Sequence, residues 1–245
     1  MVLSVVLPAY NEQGSIEQVI LDHERVLHTL GGELEDWEIV CLDDASQDQT
    51  LSILNRLAPN IPKLRVLRHE RNQGIFQSFH DLFAAAHGTH VYLTASDGQW
   101  PAENLAKMLP ALRNGADLVV GVRGNRNEIY SASRRVVSYL FNLMPRLLFG
   151  VRTSDAGSIK LGLREIFTLD LISRSPFVEA ERIIQARRHG HRVEFVPIDF
   201  LRRSAGKEGG ASWRNVRRSI ADCFRCFAHY QAARPNVARV RKASS

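Results

Sequence analysis

Acidic and amide side chains follow three short apolar runs in the first hundred residues of this 245-residue chain. An Asp after a strand is often only a helix cap or a turn residue. Three polar loops at one edge of a sheet favour a ligand-binding site instead, because ligands of open α/β sheets lie beyond the carboxyl ends of the strands. The loops are Ala9-Tyr10-Asn11-Glu12, Asp43-Asp44-Ala45-Ser46 and Thr94–Pro101.

The elements that position these loops alternate between short apolar runs and amphipathic segments. This rhythm predicts an α/β fold, with a mostly parallel, Rossmann-like sheet and helices on both faces. Strands are predicted at Leu3–Ala9, Trp37–Leu42, Leu64–Arg68, His90–Thr94 and Asp117–Val122. Helices are predicted at Glu12–Leu30, Gln47–Leu57 with Ser46 as N-cap, Gly74–Ala86 and Ala102–Arg113.

The rhythm changes after residue 123, but no repeat or low-complexity linker marks a second domain. A turn at Asp155–Leu161 feeds a short strand, and a further strand is predicted at Arg192–Leu201. Helices are predicted at Tyr130–Phe149, Phe177–His189 and Trp213–Ala233, with a glycine- and lysine-rich loop at Arg202–Ser212.

The net charge of +6 is unevenly distributed, since residues 1–100 are net acidic and the positive excess lies in residues 101–245. Such a surface suits nucleic acid, an anionic membrane or phosphorylated substrates. No nucleic-acid-binding motif accompanies the charge, so we do not expect that partner. The spacing of Cys223 and Cys226 favours two buried helix thiols over a metal or redox pair.

The N-terminus lacks a basic segment and a cleavage signal, and no apolar run reaches the roughly 20 residues of a spanning helix. We therefore expect a cytoplasmic protein, peripheral at the membrane.

Four motifs together resemble the family 2 inverting glycosyltransferases. The segment from Val6 to Glu12 is similar to the family's opening strand and loop, and Asp43 to Thr50 matches its D-D-x-S-x-D-x-T stretch. Arg71-Asn72-Gln73-Gly74 matches R-N-x-G, and Ser96-Asp97-Gly98-Gln99 lies where the family carries its D-x-D metal motif. The resemblance implies a GT-A-type fold.

The resemblance is greatest to the dolichol-phosphate mannose synthase-like, polyprenyl-phosphate branch, and it spans roughly residues 3 to 210. It implies a catalytic domain over residues 1–212, with a nucleotide-sugar half (1–122) and an acceptor half (123–212). Residues 213–245 then form a C-terminal helix and basic tail. Further matches to this branch are Gly121-Val122-Arg123, Asp155, Ile159-Lys160-Leu161, Glu181 and Arg203 to Lys207.

On the donor side, the resemblance implies a nucleotide diphosphate sugar with Mg²⁺ or Mn²⁺. A divalent cation neutralises the charge that develops on a departing diphosphate, and it prefers hard oxygen ligands. Asp97 and Gln99 are the implied metal ligands. The residues implied to contact the nucleotide sugar are Pro8, Tyr10, Glu12, Asp43, Asp44, Ser96, Asp97 and Gln99.

The chain departs from the branch at Ala95, where the first Asp of Asp-x-Asp-x-Gln is usual. Three outcomes are open. Asp97 and Gln99 can bind the metal with the diphosphate and water, basic residues can replace the metal, or catalysis has been lost. We favour the first, because Asp97, Gln99 and the basic residues of the acceptor half are retained, whereas a loss of catalysis would be expected to change more than one position.

On the acceptor side, the resemblance implies a polyprenyl phosphate, whose ionised oxygen attacks the anomeric carbon without a strong general base. The enzyme must then supply positioning and charge balance. Arg123, Arg203 and Lys207 lie at matching positions, and Asp155 either orients one of these arginines or caps a turn. Weaker candidates are Arg126, Arg134 and Arg135.

The helix predicted at Tyr130–Phe149 is apolar over much of its surface and has basic flanks, which predicts contact with a membrane. The alternative is an ordinary helix of the core or of a dimer interface. The tail adds Arg234, Arg239, Arg241 and Lys242.

Two other functions remain open. A soluble hydroxyl acceptor would need a general base, for which Glu179 or Glu181 could serve. The second function is that of a non-catalytic protein that binds a nucleotide sugar, and it is supported by Ala95 in place of the usual Asp.

Overall fold

A seven-stranded sheet runs through the whole molecule. In the computed structural model, which describes residues 1–124, 143–201 and 213–232, the strand order is β3-β2-β1-β4-β6-β5-β7. The strands are β1 (Val2–Ala9), β2 (Asp36–Asp43), β3 (Leu64–Arg68), β4 (His90–Leu93), β5 (Leu118–Arg123), β6 (Lys160–Leu163) and β7 (Val193–Ile198).

Helices cover both faces of this sheet. They are α1 (Ile16–Thr29), α2 (Thr50–Leu57), α3 (Ile75–Ala85), α4 (Asn104–Arg113), α5 (143–149), α6 (Arg164–Phe167), α7 (Val178–Arg188) and α8 (Trp213–Ala232). The predicted α/β class is confirmed. Within the described residues, no helix is long and apolar enough to cross a membrane.

Side-chain alternation along β1 divides the core into two layers. Leu3, Val5 and Leu7 face the layer that contains α1, α2 and α4, whereas Val6 faces the layer of α3, α7 and α8. All four side chains are fully buried. Burial of a side chain of this size contributes about 1.5–3 kcal/mol, so the two layers hold the sheet from both sides.

The short strand predicted after the turn at Asp155–Leu161 is present as β6, but the sequence pattern did not predict its antiparallel direction. It lies between β4 and β5 and pairs with both in the opposite direction. All other neighbouring strands run parallel. The carboxyl ends of β1, β2, β3, β4, β5 and β7 therefore lie at one edge, which we call the carboxyl edge.

Two predicted helix starts are wrong. The helix predicted from Glu12 begins at Ile16, and the one predicted from Gln47 begins at Thr50. Ser46 is not the N-cap of the second helix, because its hydroxyl accepts a hydrogen bond from the backbone N–H of Asn11 (3.0 Å). The other predicted elements within the described residues agree with the structure to within a few residues at each end.

Candidate functional site

A cleft of about 440 Å³ opens at the carboxyl edge of the sheet. The register of β1 with β2 places Ala9 beside Asp43, and the register of β1 with β4 places Val6 beside Leu93. The predicted polar loops consequently meet. The residues that line the cleft are Pro8, Ala9, Tyr10, Glu12, Asp44, Asn72, Gly74, Ile75, Ser78, Ala95, Ser96 and Asp97.

Ser96 ties the loop after β4 to the loop after β1. Its hydroxyl donates to the Pro8 carbonyl (2.7 Å), and its own carbonyl accepts from the Ser15 hydroxyl (2.8 Å). Ser96 is buried. These bonds fix the start of the Ser96–Gln99 segment against the floor of the cleft.

The second motif holds the first loop through side chains that the sequence analysis left without a role. The Thr50 hydroxyl accepts from the Glu12 N–H (2.8 Å), and Asp48 accepts from the Gln13 N–H (3.1 Å). The Asn11 side chain accepts from the Gln47 N–H (2.8 Å). The polar spacing of this motif therefore reflects loop-to-loop hydrogen bonds as well as ligand chemistry.

Two non-glycine residues of these loops have positive φ angles, Asn11 (56°) and Ala45 (58°). Left-handed backbone is unfavourable for L-residues and is retained where the surroundings enforce it, often at functional sites. The Asn11 side chain bonds across the loops, which is a reason for its type at this position.

Asp44 lines the cleft, but its carboxylate is largely engaged by the loop before α3. It accepts hydrogen bonds from the backbone N–H groups of Gln73 and Gly74 (2.8 Å each) and from the His69 ring (2.6 Å). The side chain is 5% exposed. Asp44 thus holds the Arg71–Gly74 motif beside the cleft.

Asp43 is fully buried and does not line the cleft. One carboxylate oxygen accepts from the Ser46 N–H (3.2 Å). The other, Oδ1, has no hydrogen-bond partner among the described residues. Because buried carboxylate oxygens are normally satisfied, this atom is a candidate acceptor for a buried water molecule.

Asp97 and Gln99 flank Gly98, whose positive φ (71°) turns the chain sharply. Asp97 accepts from the Gln99 N–H (3.1 Å), and the Gln99 side-chain amide donates to the Leu201 carbonyl (3.2 Å). Within the described ranges, no group of three or more His, Cys, Asp and Glu side chains forms a preassembled metal site.

Asp97 lines the cleft and fits a metal that arrives with a diphosphate, whereas Gln99 is not among the residues that line the cleft. Mg²⁺ is commonly bound by one or two carboxylates together with substrate phosphates and water, without a complete protein cage. Asp97 supplies one carboxylate at the cleft wall. The Gln99 side chain donates to Leu201 through its amide nitrogen, and its side-chain carbonyl oxygen is a hard ligand of the kind that Mg²⁺ prefers.

Ala95 lines both the cleft and a smaller neighbouring cavity of about 70 Å³. The smaller cavity also contacts Thr94, Lys160 and Glu179. The methyl group of Ala95 therefore stands where a carboxylate would reach either the cleft or a buried cation.

Arg123 ends β5 at the carboxyl edge and is paired with Asp155. Its backbone N–H donates to Asp155 (2.8 Å), and its Nε lies 3.0 Å from Oδ2 and 3.1 Å from Oδ1. The guanidinium also lies over the rings of Trp100 (5.5 Å) and Phe200 (5.0 Å). Of the two alternatives for Asp155, the structure shows the one in which it orients an arginine.

Several predicted residues lie outside the described residues. These are Arg126, Arg134, Arg135, Arg203, Lys207, Arg234, Arg239, Arg241 and Lys242, together with much of the predicted helix Tyr130–Phe149. Their roles stay predictions.

Neither candidate general base lies in the cleft. Glu179 is buried 2.8 Å from Lys160 Nζ, and although burial opposes ionisation, Lys160 and Arg182 hold its pKa below the ordinary value. Glu181 is fully buried and accepts from the N–H groups of Ile172 and Ser173 (2.9 Å each) and from the Tyr230 hydroxyl. Both carboxylates therefore connect α7 to the elements that pack against it.

Cys223 and Cys226 are buried in α8, as predicted for helix thiols. Burial raises the pKa of Cys223 to about 11. The neutral form of this thiol therefore dominates at neutral pH, which disfavours thiolate chemistry.

Comparison with known proteins adds a family assignment. The model for "Glycosyl transferase family 2" matches residues 4–169, which is more than half of the chain. A curated relative is undecaprenyl-phosphate 4-deoxy-4-formamido-L-arabinose transferase of Pseudomonas fluorescens, 29% identical over 83% of this chain and 58% of the relative. Another is dolichol-phosphate mannosyltransferase of Pyrococcus furiosus, 29% identical over 56% of this chain and 38% of the relative.

The chain thus spans about half the length of the first curated relatives it matches. It spans 84% of undecaprenyl-phosphate mannosyltransferase of Micrococcus luteus, to which it is 28% identical over 82% of its own length. Among solved structures, glucosyl-3-phosphoglycerate synthase of Mycobacterium tuberculosis, in complex with Mn²⁺ and uridine diphosphate, has the same fold. It shows a TM-score of 0.68 and 23% identity, over 93% of this chain and 80% of the synthase.

Proposed function

The chain belongs to glycosyl transferase family 2, and from this we propose that it transfers a sugar from a nucleotide diphosphate sugar to a polyprenyl phosphate, with inversion. One observation carries the proposal. The four family motifs meet in a single cleft, and a partly buried arginine, oriented by Asp155, lies at the same sheet edge.

The donor nucleotide occupies the cleft. Its base and ribose lie over the ends of β1 and β2, near Pro8, Tyr10 and Glu12, and its diphosphate lies toward Ser96 and Asp97. Glu12 lines this part of the cleft, which supports this orientation, since a carboxylate oxygen accepts hydrogen bonds from base N–H and ribose hydroxyl groups.

Asp97, with Gln99, would hold Mg²⁺ or Mn²⁺, and the bound cation would neutralise charge on the leaving group. The presence of Mn²⁺ or Mg²⁺ in solved structures of the same fold supports this choice of ions.

Arg123 serves the acceptor. A phosphate oxygen of the acceptor forms a bond to the anomeric carbon while the bond from that carbon to the diphosphate breaks. The acceptor phosphate is already ionised, so no proton must be removed. Asp155 fixes the Arg123 guanidinium in place, which is the positioning that such a reaction requires. Arg203 and Lys207 complete the basic side of the site in this proposal.

The names of the curated relatives favour this acceptor class, because they include undecaprenyl-phosphate and dolichol-phosphate transferases. The buried positions of Glu179 and Glu181 argue in the same direction, since they leave a hydroxyl acceptor without either of its candidate bases. A lipid acceptor requires the enzyme to work at a membrane surface, and we propose that it does so as a cytoplasmic, peripheral protein.

A donor screen tests the proposal. Wild-type protein and Asp97→Asn are each titrated with UDP and GDP in the presence of Mg²⁺ or Mn²⁺ and followed by calorimetry. We expect one nucleotide to bind the wild type with metal, and Asp97→Asn to lose that metal dependence. Equal, metal-independent binding by both proteins would contradict the role of Asp97.

A further inference from the structure

His69 lies directly after β3, between the donor cleft and α3. Its backbone N–H donates to the Asp43 carbonyl (2.9 Å), which extends the pairing of β3 with β2 by one residue. The side chain is 9% exposed. Its Nδ1 lies 2.6 Å from Asp44 Oδ1, and its Nε2 lies 3.0 Å from Asp81 Oδ2 on α3.

The two contacts define the protonation state of the ring. A neutral imidazole has one N–H, and an ionised carboxylate can only accept hydrogen bonds. Both ring nitrogens therefore donate to carboxylates only when His69 is an imidazolium. This cation bridges Asp44, which follows β2, to Asp81 in the middle of α3.

The bridge bears directly on the wall of the cleft. Asp44 is the acceptor for the N–H groups of Gln73 and Gly74, and Asn72 and Gly74 line the cleft. Gly74 has a positive φ (85°) and directly precedes α3, so its conformation sets where the helix begins. Loss of the His69 charge would leave Asp44 and Asp81 without the cation that joins them.

We propose that His69 is a positioning residue of the donor cleft, which as an imidazolium holds Asp44 and, through it, the Asn72-Gln73-Gly74 wall in the form that binds a nucleoside diphosphate. The identity of the ligand rests on the proposed function. The bridge through His69 and its effect on the Asn72-Gln73-Gly74 wall are independent of that function.

The charged groups around the ring support the imidazolium. Burial opposes the charge, but the hydrogen bonds to Asp44 and Asp81 outweigh it and raise the pKa of His69. On α3, His80 also contacts Asp81, at 2.9 Å from Oδ1. The chain neighbours Arg68 and Glu70 are exposed.

Two variants distinguish the effect of the His69 bridge from that of other histidines on the same surface. His69→Gln keeps a polar side chain but cannot carry the charge. His80→Gln is the matched control, because His80 is an exposed histidine that contacts Asp81 but is not bonded to Asp44. Each protein is studied across the pH range in which histidine titrates.

The first measurement needs no ligand. NMR spectra follow the histidine rings, with the His69 signals assigned by their absence from His69→Gln, and hydrogen exchange follows the Gln73 and Gly74 amides. We expect His69 to remain protonated at neutral pH and the protection of both amides to fall as it loses its proton. A ring that is neutral at pH 7, or protection that does not follow its titration, would overturn the bridge.

The second measurement uses UDP and GDP with Mg²⁺. We expect His69→Gln to bind the preferred nucleotide roughly tenfold more weakly at low pH, a loss typical of groups that orient binding residues. Its affinity should also change less with pH than that of the wild type and His80→Gln. The titration of the nucleotide itself is common to all three proteins, so an identical pH profile in His69→Gln would refute the positioning role. If neither nucleotide binds the wild type, the proposed donor fails, and the amide protection still decides the role of His69.

Discussion

Arg123 and Asp155 form an ion pair at the carboxyl edge of the sheet, in which the carboxylate is buried (1% exposed) and the arginine side chain is partly buried (16% exposed). Asp155 has a positive φ (53°), and its carboxylate accepts from both the backbone and the side chain of Arg123. The pair joins the end of β5 to the turn before β6. It therefore fixes a cation at the carboxyl edge of the sheet, through contacts between residues that are 32 positions apart in the sequence.

Asp155→Asn should lower the free energy of unfolding by about 2 kcal/mol, because it removes the charge from a buried carboxylate that accepts several hydrogen bonds from Arg123. Urea denaturation measures the change. The control is Glu33→Gln, which removes a surface ion pair with Arg113 whose side chains are 44% and 47% exposed. That change should cost less than about 1 kcal/mol. Equal effects of the two substitutions would show that Arg123 is not held as described.

Ala95→Asp should strengthen binding of Mn²⁺ in the presence of the preferred nucleotide, because it returns a second carboxylate to the cleft wall. Calorimetric titration of Mn²⁺ into the nucleotide complex measures the change. Ala95→Asn supplies a side chain of similar size without the charge. If Ala95→Asp binds Mn²⁺ more weakly than the wild type, the new carboxylate has turned toward Lys160 in the small cavity.

Glu181→Gln should destabilise the fold by about 2 kcal/mol, since two backbone N–H groups and the Tyr230 hydroxyl depend on this carboxylate. Transfer to a polyprenyl phosphate, measured per folded molecule at low temperature, should remain close to that of the wild type. A large loss of turnover in protein that is still folded would instead support a general base and a hydroxyl acceptor.

Thermal stability should depend on pH through His69. Because the folded-state pKa of His69 is raised, its stabilising contribution is fully present below the ordinary pKa of about 6.5 and is lost as pH rises through the folded value. The difference in Tm between the wild type and His69→Gln should therefore shrink as the pH rises above about 6.5. A difference that is constant or grows with pH would contradict this sign.

The sequence predicted the parallel strands and the polar loops after them, since these follow from local patterns of apolar residues and turn formers. It did not predict the insertion of β6 between β4 and β5, because strand order depends on pairing between distant segments. The roles of Thr50 and Asp48 in holding the first loop were missed for the same reason. His69 carried no local signal, and its two carboxylate partners lie 25 and 12 residues away.

Transfer of labelled sugar from UDP- or GDP-sugars into an organic-soluble polyprenyl phosphate tests the central claim most directly. With Mg²⁺ or Mn²⁺, the wild type should form a lipid-linked sugar phosphate of inverted anomeric configuration from one donor class. The Asp97→Asn and Arg123→Gln variants should form little of this lipid-linked product. Nucleotide binding without any lipid-linked product, in both the wild type and Ala95→Asp, would contradict the claim.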